Sequence, residues 1–186
     1  MILPVYLYGH PILRKVTKDI SPEYLDLKTL LGNMFETMYK AEGVGLAAPQ
    51  IGREDRILVI DLSPYAKDNP QLLNFKRILI NARIIERTGD EITSEEGCLS
   101  IPNIHENVPR KNNIRIQYVD ENFHPHDDLY EGLIARVIQH EYDHLEGMMF
   151  VDYVSGIRKQ MIRSKLDKIM KGDVNCSYKV KAVSKK

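Results

Sequence analysis

Three absences narrow the field before any motif is considered. The 186 residues include only two cysteines, Cys98 and Cys176, too few for the disulfide framework on which small secreted domains rely. No apolar run approaches the roughly 20 residues that a bilayer span requires, so no membrane partner is expected. The start, Met1-Ile2-Leu3-Pro4-Val5-Tyr6, has neither the basic region, the apolar stretch nor the cleavage site of a signal segment, and a cytoplasmic location is expected. Repeats and low-complexity stretches are missing as well. What remains, 43 % hydrophobic and 28 % charged residues, is the balance of one domain able to bury a core without staples.

The formal net charge is zero, but it is unevenly spread. From Gly156 to Lys186 ten Lys or Arg stand against two Asp, a net of +8, which leaves −8 for Met1 to Ser155. Ser21-Pro22-Glu23 reads as a helix start, with Leu27, Leu30, Leu31, Met34 and Met38 at helical spacing and Gly43 as the stop. Arg56 to Asp61 and Arg77 to Ile85 read as strands, as does Ile114-Arg115-Ile116-Gln117-Tyr118 by its alternation, with a hairpin through Asn122. Leu133 to Leu145 suits a helix buried on much of its surface. A last helix is expected from Ser155 as cap to Met170, with Ile157, Met161, Ile162, Leu166 and Ile169 as its apolar face and Gly172 as its stop. The order of elements favours an α+β fold with mostly antiparallel sheets. We expect one catalytic domain over 1–171 and a basic C-terminal tail over 172–186.

The chemistry lies in His140-Glu141-Tyr142-Asp143-His144. On a helix, histidines four residues apart present both rings on one face, within reach of one metal ion, and Glu141 is then placed to exchange protons with a water there. The bland alternative is a pair of buried histidines satisfied by their neighbours. A catalytic metal site needs a third ligand and an open position. A third histidine ten residues after the first would fall on Phe150, and no glutamate follows Glu146. Upstream, Cys98 follows Gly97, where backbone can approach a metal; spacing alone leaves open whether it is a ligand or a small buried hydrophobe.

Three segments together resemble the peptide deformylases: Gly43-Val44-Gly45-Leu46-Ala47-Ala48-Pro49-Gln50, Glu96-Gly97-Cys98-Leu99-Ser100, and Gln139-His140-Glu141-Tyr142-Asp143-His144. The likeness in pattern runs from about Tyr6 to Val154. It implies Cys98, His140 and His144 as metal ligands, Glu141 as general base and then acid, and Gln50 with the Leu99 N–H as oxyanion donors. It also implies Gly43, Val44 and Gly45 as lining of the peptide cleft, Leu133 and Val137 as part of a methionine pocket, and Glu96 with Arg110 as a supporting ion pair. The expected cofactor is one divalent ion, Fe2+ in the cell, with Zn2+, Ni2+ or Co2+ as substitutes. The implied substrates are N-formylmethionyl peptides. The implied further partner is the ribosome, through the basic C-terminal helix; DNA is not expected. His105 sits near the cleft and leaves preferences beyond the methionine open, while His10, His124 and His126 read as turn or solvated residues. Two rivals remain: a zinc endopeptidase, which would need the missing downstream ligand, and an RNA-binding module whose metal is structural.

Overall fold

The first helix follows the apolar spacing but begins later than expected. Ser21 to Asp26 form turns, and α1 runs over Leu27–Lys40, burying Leu31, Met34, Phe35 and Met38. Asp26 caps it in the left-handed region without a side-chain bond, so packing of the apolar stripe, not the Ser21-Pro22 signal, decides where this helix starts. The computed structural model describes residues 1–183.

Seven strands follow the chain: β1 (Val5–Tyr6), β2 (Gly45–Ala47), β3 (Ile57–Asp61), β4 (Lys76–Cys98), β5 (Ile101–Val119), β6 (Pro125–Glu131) and β7 (Val180–Lys181). The five from β2 to β6 form one antiparallel sheet in sequence order, so each connection is a local hairpin or loop. The strand expected over Arg77 to Ile85 is the first half of the 23-residue β4. Its second half is exposed on both faces and charged, and pairing with β5 carries it onward through register breaks to Cys98. Arg56, expected to open β3, lies just before it, buried, and donates to Ala82 O at 2.7 Å while pairing with Glu146.

Helix α2 (Gly132–Leu145) lies across this sheet. Ala135, Ile138, Tyr142 and Leu145 pack with Leu58, Ile60, Leu79, Ile114 and Ile116 in one apolar cluster. Helix α3 (Gly156–Met170) starts at the expected Ser155, whose Oγ accepts from the Arg158 N–H at 3.4 Å, and Gly172 follows its end with a φ of 77°. Only Ile162, Leu166 and Ile169 of its expected apolar face are buried; Ile157 and Met161 are 76 % and 64 % exposed. Helical geometry explains this, since Met161 and Ile157 point roughly 100° and 140° away from Ile162. The described part of the expected basic tail turns back to the body, where Val180 and Lys181 pair in parallel with Val5 and Tyr6. Residues 184–186 of that expectation lie outside the described residues. Among the described residues no helix is long and apolar enough to cross a membrane.

Ile138 is fully buried between α2 and the sheet. Ile138→Ala therefore should lower unfolding free energy by about 2–5 kcal/mol. Ile157→Ala, on the exposed side of α3, should change it by less than about 0.5 kcal/mol. Urea denaturation at fixed metal content checks both, and equal effects would contradict the packing of α3 described above.

Candidate metal centre and active site

Cys98 and the two histidines arrive from opposite directions. His140 and His144 lie on α2 one turn apart, both buried, with their rings 5.3 Å apart and edge to face. Cys98 ends β4, and its Sγ is 3.3 Å from His144 Nε2. The reach of Cys98 depends on a bulge: Gly97 pairs with His105, but Cys98 pairs with Ile101, so β5 carries extra residues there and the hairpin tip is re-aimed toward α2. One donor atom from each of Cys98, His140 and His144 lies within 4.8 Å of the others, the one such group found among the described residues.

The surroundings orient these donors. His140 Nδ1 is 2.8 Å from Glu96 Oε2, which leaves Nε2 to face Cys98. Glu96 also accepts from Arg110 Nε at 2.6 Å and Nη2 at 2.9 Å, and from Arg136 Nη1 at 2.7 Å. Arg110 Nη1 reaches Asp143 Oδ2 at 2.8 Å. Burial opposes the charge on Glu96, but hydrogen bonds from His140 and Arg110 hold its carboxyl down at about 2. Burial pushes the His144 imidazole well below its ordinary value, which favours the neutral form that binds metal.

Glu141 is buried next to the first histidine, and burial pushes its carboxyl up to about 7. Its Oε2 and His144 Nδ1 are the buried polar side-chain atoms without a hydrogen-bond partner among the described residues. The backbone of β2 passes directly over it: a Cβ on Gly45 would come within 2.4 Å of Glu141 Oε1, so only glycine permits this approach. Gln50 Oε1 accepts from the Ala47 N–H at 2.8 Å, which turns Nε2 toward Cys98 Sγ and Ser100 Oγ, each at 3.4 Å.

These groups stand at a cleft of about 650 Å³. Gly43, Val44, Gly45, Gln50, Glu96, Cys98, Leu99, Leu133, Val137, His140 and Glu141 all line it. Of the expected site residues, His144 and Arg110 stand behind the lining. His105 lies on β5 at the cleft, where its ring would meet a Cβ on Gly97 at 2.7 Å. His10 Nδ1 accepts from the Ile12 N–H at 3.3 Å, and His124 and His126 flank Asp120 at the β5–β6 turn, away from the cleft.

Sequence reasoning missed Arg136, Asp143 and the cleft-lining Asn175, Cys176 and Tyr178. Asp143 had a signal, being an acid inside the helical motif, one turn from His140 and on the side of the Arg110 strand. Arg136 had a weaker one, as the one Lys or Arg in a helix expected to be buried on much of its surface, and Tyr178 had none, because nothing in its neighbourhood distinguishes it from a surface residue.

The donor set fits a divalent transition-metal ion. A thiol and two imidazoles converge, one imidazole is oriented by a buried carboxylate, and a buried carboxylate oxygen without a partner stands beside them. A helix-borne histidine pair with a third protein ligand at the floor of an open cleft is the arrangement of a hydrolytic metal centre.

Comparison with known proteins narrows the class. A family described as polypeptide deformylase matches residues 2–160. The peptide deformylase of Christiangramia forsetii is 48 % identical, over 97 % of this chain and 96 % of its own length. That of Flavobacterium psychrophilum is 47 % identical over 100 % of both chains. Among solved structures, a peptide deformylase from Legionella pneumophila is 37 % identical with a TM-score of 0.81, covering 93 % of this chain and 98 % of its own. The peptide deformylase from Thermus thermophilus is 36 % identical with a TM-score of 0.82, covering 92 % of this chain and 99 % of its own. The chain belongs to the peptide deformylase family.

Glu96 is the test of the orienting network. Glu96→Gln keeps the shape but removes the charge that faces His140 and Arg110, and zinc affinity should fall roughly 10- to 100-fold with all three ligands in place. Competition with a chromophoric chelator measures this, and unchanged affinity in a folded variant would show that His140 needs no such partner.

Proposed function

We propose that the converging donor atoms of Cys98, His140 and His144, with Glu141 buried beside them, carry the reaction of the family. The chain is a hydrolase that removes the formyl group from the N-terminal formylmethionine of nascent polypeptides and releases formate. The observation that carries the residue assignment is the clustering of three ligand atoms within 4.8 Å of one another next to a carboxylate that has an unpartnered oxygen.

The residues divide the work as follows. Strand β2 is at the edge of the sheet and Gly43 and Val44 lead into it, so the backbone groups of Gly43, Val44 and Gly45 that α1 and β3 leave unused are open to an extended peptide. Leu133 and Val137 supply apolar surface for the methionine side chain. Cys98, His140 and His144 hold the divalent cation. When bound, that ion supplies Lewis acidity and lowers the pKa of a water from about 15.7 to near 7. Glu141 accepts the proton of the attacking water as the oxygen adds to the formyl carbon. Gln50 Nε2 and the Leu99 N–H donate to the oxygen on which negative charge develops, a contribution of roughly 2.7–4 kcal/mol for one such donor. Glu141 then returns its proton to the leaving nitrogen, freeing the α-amino group as the C–N bond breaks. Fe2+ is the ion we assign in the cell on the likeness to the family; the donor set itself, one thiolate and two imidazoles, suits Zn2+, Ni2+ or Co2+ equally.

The zinc endopeptidase is the competing reading, because the same groups cleave ordinary amides. Hydrolysis of a formyl-Met peptide beside an unformylated peptide, each with and without chelator, separates the two. We expect chelator-sensitive release of formate and intact internal bonds; cleavage of internal bonds would reverse the assignment. Glu141→Ala should retain one metal per chain and lose about 10²- to 10⁴-fold in turnover, because it removes the proton carrier and none of the ligands. Near-normal activity in that variant would remove Glu141 from the mechanism.

We also propose a cytoplasmic enzyme that meets nascent chains at the ribosome through α3. Arg163, Lys165 and Lys168 are exposed there, and a dense field of phosphates attracts such a face. Arg163→Glu, Lys165→Glu and Lys168→Glu together should abolish co-sedimentation with ribosomes at low salt and leave hydrolysis of a short formyl-Met peptide unchanged. Undiminished co-sedimentation would refute the contact.

A further inference from the structure

The turn that joins β4 to β5 consists of Leu99 and Ser100, with Cys98 opposite Ile101. Neither turn residue has a positive φ. The two-residue turns that match strand twist place one or both central residues in that region, so this hairpin is not closed by its own best geometry. Support comes from outside, and both carbonyls of the turn receive it. Ser100 O accepts from the Tyr8 N–H at 2.8 Å, and Leu99 O accepts from the Tyr178 hydroxyl at 2.8 Å.

The two supports belong to one device. Tyr8 follows β1 and Tyr178 precedes β7, and these strands pair in parallel. Asn103 Nδ2 donates to Asn175 O at 3.0 Å, tying the same segment to β5. Val174, Val180 and Ala182 pack against the apolar cluster that contains Leu7, Ile101 and Ile169. Tyr178 also lines the cleft.

Resting on the assignment of the Leu99 N–H as an oxyanion donor, we propose that Tyr178 is a positioning residue: its hydroxyl fixes the Leu99–Ser100 peptide and thereby the direction of the Leu99 N–H. The segment 172–183 is accordingly part of the catalytic unit and not a separable tail. The linkage is short. The Leu99–Ser100 peptide meets the Cys98–Leu99 peptide that carries the donor N–H at the Leu99 Cα, so with one plane pinned only the φ and ψ of Leu99 separate the donor from a fixed support. A donor must lie within a few tenths of an ångström of where charge develops, and a pinned carbonyl one residue away keeps it there.

The test uses the full chain loaded with zinc. Tyr178→Phe keeps the ring and removes only the hydroxyl; Tyr178→Ala removes both. Clamping through the hydroxyl predicts that both variants lose about tenfold in kcat on a formyl-Met dipeptide, with KM changed less than about twofold and zinc content unchanged. A packing role predicts that Tyr178→Phe behaves as the parent and only Tyr178→Ala is impaired, which would overturn the proposal. A second readout does not depend on turnover. Backbone 15N relaxation should show the Leu99 N–H losing order in Tyr178→Phe, from about 0.85 toward 0.6, in zinc-loaded and metal-free protein alike. Unchanged order at Leu99 would overturn the clamp whatever the kinetics. If the parent chain hydrolyses no formyl peptide, the functional reading fails, and the relaxation experiment alone still decides whether Tyr178 holds the turn.

Discussion

Glu96 is a buried carboxylate with both oxygens engaged, and it joins the three parts of the molecule that must agree for a metal centre to exist. Arg110 on β5 and Arg136 on α2 donate to it, and so does His140 if its Nδ1 carries the proton. Arg110 continues to Asp143 on α2. Two buried acids therefore face two arginines and one imidazole, with little uncompensated charge. Buried ion pairs contribute little net stability against apolar replacements, whereas removing one member costs several kcal/mol, about 3–5 by analogy with other buried pairs. The cluster is best understood as a device of orientation. It fixes which nitrogen of His140 faces the thiol, and it ties the hairpin that carries Cys98 to the helix that carries the histidines.

That hairpin has a cost of its own. The second half of β4 leaves its side chains in water and contributes almost nothing to the apolar clusters. Its persistence depends on the ladder with β5, whose inward residues Ile104, Val108, Ile114 and Ile116 are buried. One well-anchored strand thus carries a poorly anchored one to the site. The bulge after Gly97 is the last of several register breaks and aims the tip at α2, and irregular backbone next to a site is a recurrent way to re-aim a side chain.

This division explains what could be read in advance. Helix α2 and the histidine pair on it were legible because helical spacing puts His140 and His144 on one face with Glu141 between, the pattern a metal-binding helix would need. The second half of β4 was not, because Glu86 to Glu96 shows no alternation and Ile92 as its one large apolar residue, and only its partner makes it a strand. Cys98 lies 42 residues before His140 in the sequence. No local pattern spans such a separation, and only the resemblance across three motifs joined the two. The face of α3 was misread in part because Ile157 and Met161 suit a wide apolar stripe, while the body offers a surface only for the narrower one through Ile162, Leu166 and Ile169. Tyr178 was invisible for a different reason. Its role exists only once β7 has found β1, a parallel pairing between opposite ends of the chain.

The same pairing constrains how the basic segment can act. Arg158 of α3 is committed to Glu106, with Nε and Nη2 at 3.0 and 2.9 Å from its oxygens, and Lys159 donates to Asp152 O at 3.1 Å. These cations tie the helix to the body while remaining partly in solvent. Arg163, Lys165 and Lys168 are exposed on the same helix and take part in no ion pair among the described residues. Charge on this helix is therefore sorted by position: the first turn is spent on docking, and the later turns face outward. The chain continues from α3 into the segment that supports the Leu99–Ser100 turn, so the outward face of the helix and a group at the cleft belong to one continuous C-terminal region. The buried stripe of α3 and the pairing of β7 with β1 are what hold that region against the body.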